Sequence, residues 1–245
     1  MLDVSDQSTL LIIPCCAAKV AGGQLIEVDD DPLQAMVSST AYGDVLHARE
    51  NVLGAIRGAP KYVSDKYAKN IAIVDGPGLR VAGSALLMRA LDRYGGSLYR
   101  TKGLKENIRQ AVLGGDRPRV LILSALYGPL HPLSPIQDYN LMMSDAPAKA
   151  WTTAFPRFLA DYVERNGIRR VALYVGSSTA YFKIARKAVV PLLANDRIER
   201  AVQYHVVDGG TRETPTRHGA LLAAHLSCAE CAPFFEGGMT QEVRL

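Results

Sequence analysis

The chain is short of the features that mark the easily assigned classes. No apolar stretch among its 245 residues approaches the roughly 20 that a membrane-spanning helix needs, so no membrane partner is expected. The opening "MLDVSDQSTL" lacks the basic start and long apolar centre of a secretory signal, which points to a cytoplasmic protein. Cysteine is scarce: the 4 cysteines are the adjacent Cys15 and Cys16, then Cys228 and Cys231. Neighbouring cysteines rarely bridge each other, and a reducing compartment disfavours structural disulfides, so no disulfide framework is expected. Cys228 and Cys231 have zinc-ligand spacing. A closed site needs four ligands, and Cys15, Cys16 or His225 would join only if folding happened to bring them there; no metal and no cofactor is expected. There is no phosphate-binding P-loop, no G-x-G-x-x-G and no G-x-S-x-G nucleophile elbow. Internal repeats and low-complexity segments are also missing.

What is present is a balanced, core-forming composition. Hydrophobic residues make up 48% and charged residues 21%, enough for a sizeable core and against global disorder. Lys plus Arg is 28 and Asp plus Glu is 24, a net charge of +4 that permits an anionic partner without demanding one.

Periodicity gives an alternating pattern. "LLIIP" (Leu10–Pro14), Arg119–Ala125 and Arg170–Val175 read as buried strands, with Ala201–Val207 as a further one. Helices are expected over Tyr42–Ala59, from Ser84 to about Tyr94, over Gly103–Leu113, over Pro147–Asn166 with Trp151, Phe155, Phe158, Leu159 and Tyr162 as its apolar stripe, and over Arg217–Leu226. "IAIVDGPG" can be a strand ending at a turn. The expected architecture is a single α/β domain over 1–245, its mostly parallel sheet flanked by helices on both faces, with a C-terminal tail from about 228. In such folds ligands bind beyond the carboxyl ends of the strands. Here those ends are "PCCAAK", "SALYGPLHP", "GSSTAYFK" and "DGGTRETPTRHG".

Chemistry-bearing residues are dense there. Lys19, if desolvated, can act as a base, a nucleophile or an imine-forming amine; it can equally bind phosphate or face water. Cys15 places a thiol in the same turn. In the proline-stiffened segment Ser124–Met143, Tyr127 and Tyr139 can stack on a nucleobase, and Gln137 can read its edge. Asp138 can orient water or balance a developing cation, and His131 can assist a leaving base. The alternative is a structural loop whose tyrosines belong to the core. Ser177 and Ser178, at a helix start, suit an anion or simple capping. Arg212 and Arg217 add positive charge after a Gly–Gly turn. Between Arg89 and Arg109 the residues Arg89, Arg93, Arg100, Lys102, Lys105 and Arg109 can grip a phosphodiester backbone or form a solvated helix face.

Four segments together resemble the YaaA peroxide-stress proteins: "LLIIPCCAAK", "GGSLY", "LSALYGPLHPLSPIQDYNLMM" and "AYFK". The third match is the long one, and together they touch most of the chain. The resemblance implies a cytosolic DNA-binding protein linked to oxidative stress. It also implies that Lys19, Tyr99, Ser124, Tyr127, Gly128, Gln137, Tyr139, Tyr181, Phe182 and Lys183 line one cleft. The paired cysteines and Asp138 depart from that family's pattern. "PCCAAK" is also similar to the Pro-Cys-x-x-x-Lys pattern of archaeosine synthases, which modify a deazaguanine base in transfer RNA. Their corresponding domain resembles uracil-DNA glycosylases, and "HPLSPIQDY" is loosely similar to the loops of those enzymes.

The expectation is a base-directed protein that binds DNA, or RNA, and cleaves the N-glycosidic bond of a modified or damaged base. Asp138, His131 and Lys19 would be catalytic. Cys15, Ser124, Tyr127, Gln137 and Tyr139 would hold the base. Tyr99, Arg100, Lys102, Ser177, Ser178, Lys183, Arg212 and Arg217 would meet phosphates. The rivals are a non-catalytic DNA-binding stress protein and a base-modifying transferase using Lys19 or Cys15.

Overall fold

The computed structural model describes residues 2, 6–24, 31–73, 86–114, 117–210, 213–227, 231–238 and 240–245. Its elements in chain order are β1 (Thr9–Pro14), α1 (Ser39–Arg57), β2 (Met88–Arg89), α2 (Ala90–Arg93), α3 (Leu104–Leu113), β3 (Arg119–Ser124), β4 (Gly128–Leu130), β5 (Pro135–Ile136), α4 (Trp151–Arg165), β6 (Arg170–Leu173), α5 (Ala180–Ala194), β7 (Arg200–Val206), α6 (Glu213–Leu226) and β8 (Thr240–Arg244). Among the described residues they build a six-stranded sheet, ordered β4-β3-β1-β6-β7-β8, and a separate β2-β5 ribbon.

The four inner strands run parallel, and β4 and β8 close the two edges antiparallel. This is the expected α/β architecture, a mostly parallel sheet with helices around it. β1 is buried throughout its apolar run, as a strand covered on both faces requires. Its register sets Pro14 beside Leu123 and Ile12 beside Leu173, so the carboxyl ends of β1, β3 and β6 lie at one rim. The chain leaves β1 for β3 on one side and later resumes at β6 on the other. That reversal opens a crevice between the ends of β1 and β6, where ligands collect in open α/β sheets.

The helices pack as α1, α4 and α5 in a row and α3 against α6. The predicted stripe of α4 is buried in full. Gly167, at φ +61°, ends that region in a left-handed conformation suited to glycine. Ser38 caps α1 by accepting from the Ala41 N–H at 3.1 Å, and it is itself bound to Asp161 of α4 through its hydroxyl (2.6 Å) and its N–H (2.8 Å). One residue thereby starts a helix and fastens it to another.

Three expectations need correction. The helix expected up to Tyr94 is, within the described residues, only α2, while Met88 and Arg89 pair with Pro135 and Ile136 instead. The reason is Arg93: its buried guanidinium donates to the carbonyls of Val20, Gly22, Leu86 and Ile136, which stitches extended segments together. Ser84 lies outside the described residues. In "IAIVDGPG", Ile71 and Ala72 belong to a 3-10 helix (Asp65–Ala72), and the part from residue 74 onward is outside the description. The expected tail is in part strand β8, which pairs along β7 from Val202 to Val206.

Candidate functional site

The site is built on the turn that leaves β1 after Pro14. The Cys15 N–H donates to the Leu123 carbonyl at 2.9 Å, so the thiol is placed at the strand end by the ladder itself. The chain then runs back antiparallel to 93–96: Val20 donates to the Arg93 carbonyl, Gly95 to the Ala18 carbonyl, and Lys19 bridges Tyr94. Gly96 donates to the Cys16 sulfur at 3.2 Å. A Cβ on Gly96 would stand 2.7 Å from the Cys16 Cβ, so this contact needs glycine.

Tyr139 is the hub. Its hydroxyl lies 2.8 Å from Ser124 Oγ, 3.0 Å from the Tyr94 hydroxyl and 3.4 Å from Cys15 Sγ. Cys15 Sγ lies 2.9 Å from the Tyr181 hydroxyl. The Lys19 amine sits 3.9 Å from the Tyr139 ring centre and donates to the Cys16 carbonyl at 3.0 Å. Burial pushes the Lys19 pKa down, against the opposing pull of Cys15, Cys16 and Asp138. Burial likewise pushes the Cys16 thiol up, and the phenols of Tyr94, Tyr139 and Tyr181 well up, so those phenols stay protonated.

Beside this network, a cavity of about 320 Å³ lies at the β1/β6 crevice, within the usual range of small-ligand sites. Pro14, Cys15 and Cys16 line it from β1, Ser178, Thr179 and Tyr181 from the start of α5, and Gly209, Thr214 and His218 from the turn into α6. Among the described residues, the lining contains no Asp, Glu, Lys or Arg. His218 is held neutral, its pKa pushed down to about 4 by burial. Its Nε2–H donates to the Tyr204 carbonyl at 2.7 Å, which leaves Nδ1 as an acceptor. Thr179 caps α5 by accepting from the Phe182 N–H at 3.2 Å. Gly209 is required because a Cβ there would lie 2.5 Å from Thr214 Oγ1 and 2.6 Å from Val206 Cγ1.

The expected residues sort clearly. Cys15, Lys19, Ser124 and Tyr139 converge, although of these only Cys15 lines the cavity. Tyr127 and Tyr139 cannot stack on a base: both rings are buried, they meet edge to face at 5.7 Å, and Lys19 stands against Tyr139. The Tyr127 hydroxyl instead accepts from the Gln137 N–H at 3.1 Å, and the Gln137 side chain is buried away from the cavity lining. Tyr99 is buried as well and donates to the Pro14 carbonyl at 2.8 Å, so it is no phosphate contact.

His131 is misplaced by the expectation. β4 runs back along β3, pairing Leu130 with Ile122, and carries His131 away from the strand ends toward Arg119 and Asp31. Asp138 stays within electrostatic reach of Lys19 but is ion-paired to Lys69 at 2.9 Å. Its Oδ1 is buried with no hydrogen-bond partner among the described residues. Arg100, Lys102, Ser177, Ser178 and Lys183 are exposed, and Ser177 also meets His205 at 3.2 Å. Arg217 is ion-paired to Glu213 one turn away. Arg212 and Cys228 lie outside the described residues. Among those described, no group of three or more His, Cys, Asp or Glu is placed to hold a metal, and no helix is long and apolar enough to cross a membrane.

Sequence reasoning missed Tyr94, Cys16, Leu98, Thr214 and His218. The last two had a signal: they are one turn apart on α6, in a segment already marked as a strand end. No protein-family model matches the chain, and no curated protein matches it.

Proposed function

We propose that the protein is a DNA-binding, base-directed enzyme that cleaves the N-glycosidic bond of a modified or damaged nucleobase. The reading rests on one observation: a cavity of single-heterocycle scale is lined by Cys15 and Cys16, and the Cys16 carbonyl accepts from an amine whose pKa is pushed down and which feels a carboxylate. A flat base is weakly solvated and suits a lining of Leu98, the prolines, the Tyr181 ring and hydroxyls. The base would have to be extruded from its stack, at a cost of a few kcal/mol.

Lys19 is the imine-forming amine, and His131, which β4 carries away from the strand ends, has no part in the step. Its neutral amine attacks the sugar C1′ as the bond from C1′ to the base breaks. The electron pair leaves with the base, which takes a proton from solvent. The new ammonium loses a proton, the sugar ring opens to an imine, and water then returns the free amine and a sugar aldehyde. The Asp138 carboxylate balances the cationic sugar in between.

That Cys15, rather than Lys19, lines the cavity favours one second reading, a transferase whose thiol bonds to the base itself. A single experiment separates the two. Single- and double-stranded DNA carrying varied modified bases is incubated with the protein, then treated with borohydride, and the products are weighed by mass spectrometry. Abasic sites and a borohydride-trapped adduct on Lys19 support glycosidic cleavage. An altered base still attached to its sugar supports the transferase. Tight binding with no product from any substrate sinks both and leaves the non-catalytic rival.

A further inference from the structure

The outer face of α5 bears a triplet of cations that the candidate site does not use. Lys183, Arg186 and Lys187 are exposed at i, i+3 and i+4, so they stand side by side. With Ser177 and Phe182 they line a groove of about 510 Å³. The helix contains no Asp or Glu. None of the three forms an ion pair among the described residues, whereas Arg169, Arg170, Arg197 and Arg200 are ion-paired to Glu199, Asp6, Glu164 and Glu242. Those four arginines are neutralised in pairs, whereas the triplet is left open. Phe182, a part-exposed ring, lies in the same groove. Tyr181, its neighbour, lines the cavity. The first turn of α5 thus stands between the two depressions.

We propose that this groove is a track for the backbone of single-stranded nucleic acid, with Phe182 stacking on a base beside the one held in the cavity. Clustered cations with an aromatic platform are the usual means of holding a single strand without reading its sequence. The proposal rests on the base-directed reading of the cavity.

The test is fluorescence anisotropy with a labelled single-stranded oligonucleotide, titrated from about 50 to 200 mM salt. It compares the unmodified protein, a K183Q/R186Q/K187Q variant and F182L. The triple variant should keep its melting temperature, since the replaced side chains are exposed. Its plot of log affinity against log salt should become shallower by about 2, at roughly 0.7 for each lost phosphate contact, with a loss of tenfold or more near 100 mM. F182L should weaken binding several-fold and leave the slope unchanged. An unchanged slope in the triple variant overturns the track and leaves the base-directed reading standing. Equal binding of duplex with no effect of F182L overturns the single-strand assignment. Failure of the unmodified protein to bind any oligonucleotide, including the case where it binds only anionic vesicles, overturns both proposals.

Discussion

The Lys19 amine rests 3.9 Å from the centre of the Tyr139 ring, while the hydroxyl of the same ring is held by Ser124, Tyr94 and Cys15. One side chain therefore links an amine, a thiol and the end of β3. The cation–ring contact, on the order of 1 kcal/mol, favours the charged amine, and burial opposes it. Burial outweighs the pull of Cys15, Cys16 and Asp138, and the Lys19 pKa is lowered.

Two nearby charges should move that pKa in opposite directions. Asp138 raises it and Lys69 lowers it. In D138N the pH midpoint for modification of Lys19 should fall further below that of ordinary lysine, and in K69M it should rise. Amine labelling across pH, read by peptide mass spectrometry, gives both midpoints. Shifts of the same sign would remove the electrostatic account of this amine.

Y139F should keep the ring beneath Lys19 while removing the shared hydroxyl from Ser124, Tyr94 and Cys15. Leaving buried polar groups without a partner costs about 1–3 kcal/mol. The loss should appear as a lower urea midpoint with an unchanged slope. A neutral result would mean that the three partners satisfy one another without it.

The layered fold was legible because its signals are local. β1 and β3 are continuous buried runs, and the α4 stripe has helical spacing. The site was legible as a set of strand ends, and Cys15, Lys19, Ser124 and Tyr139 do meet. What misled was direction. Nothing in "YGPLHP" announces that β4 folds back along β3, so His131 was placed with its sequence neighbours rather than near Arg119. Tyr94 and Cys16 could not be paired from sequence, because their contacts depend on Arg93 gathering four separate carbonyls. β8 is polar and largely exposed along one edge of the sheet, so it lacked the buried run that marked the other strands.

The fold-back of β4 is itself held by a buried ion pair. Asp31 and Arg49 are each 1% exposed and lie 3.6 Å apart. Asp31 also accepts from Ser134 Oγ at 2.6 Å, and Arg49 donates to the carbonyls of Tyr127 and Pro129. D31A should cost about 3–5 kcal/mol, because it strands a buried guanidinium. In combination with R49M it should cost clearly less than the two single losses added. Chemical denaturation of the double-mutant cycle measures this; strict additivity would mean the two charges do not couple.

Gly128 begins β4 at φ +67°, and a Cβ there would fall 2.3 Å from the Trp151 ring. Gly103 has a similar φ of +77° but open space around it. G103A should therefore cost only the conformational strain, about 1–2 kcal/mol. G128A adds overpacking of a buried indole and should lose roughly 3 kcal/mol or more. Equal melting temperatures for the two variants would contradict the steric argument.

Acid should destabilise the protein well before its carboxylates are protonated. Burial pushes the pKa values of His131, His218 and His225 down to about 4, against roughly 6.5 in an unfolded chain. Between these values the unfolded state binds more protons than the native state, so stability falls as pH drops through that window and rises on return. Each histidine contributes on the order of 3 kcal/mol once both states are protonated, a large share of an ordinary domain's stability. His131 offers a clean test because its Nδ1 accepts from the Leu133 N–H at 3.2 Å. The Asn oxygen of H131N can take that bond without titrating. Urea unfolding at pH 7 and near pH 4.5 should show a steep loss in the unmodified protein and a smaller one in H131N. If stability is flat across this interval, the three imidazoles are protonated in the folded state and the buried, neutral environments described for them are wrong.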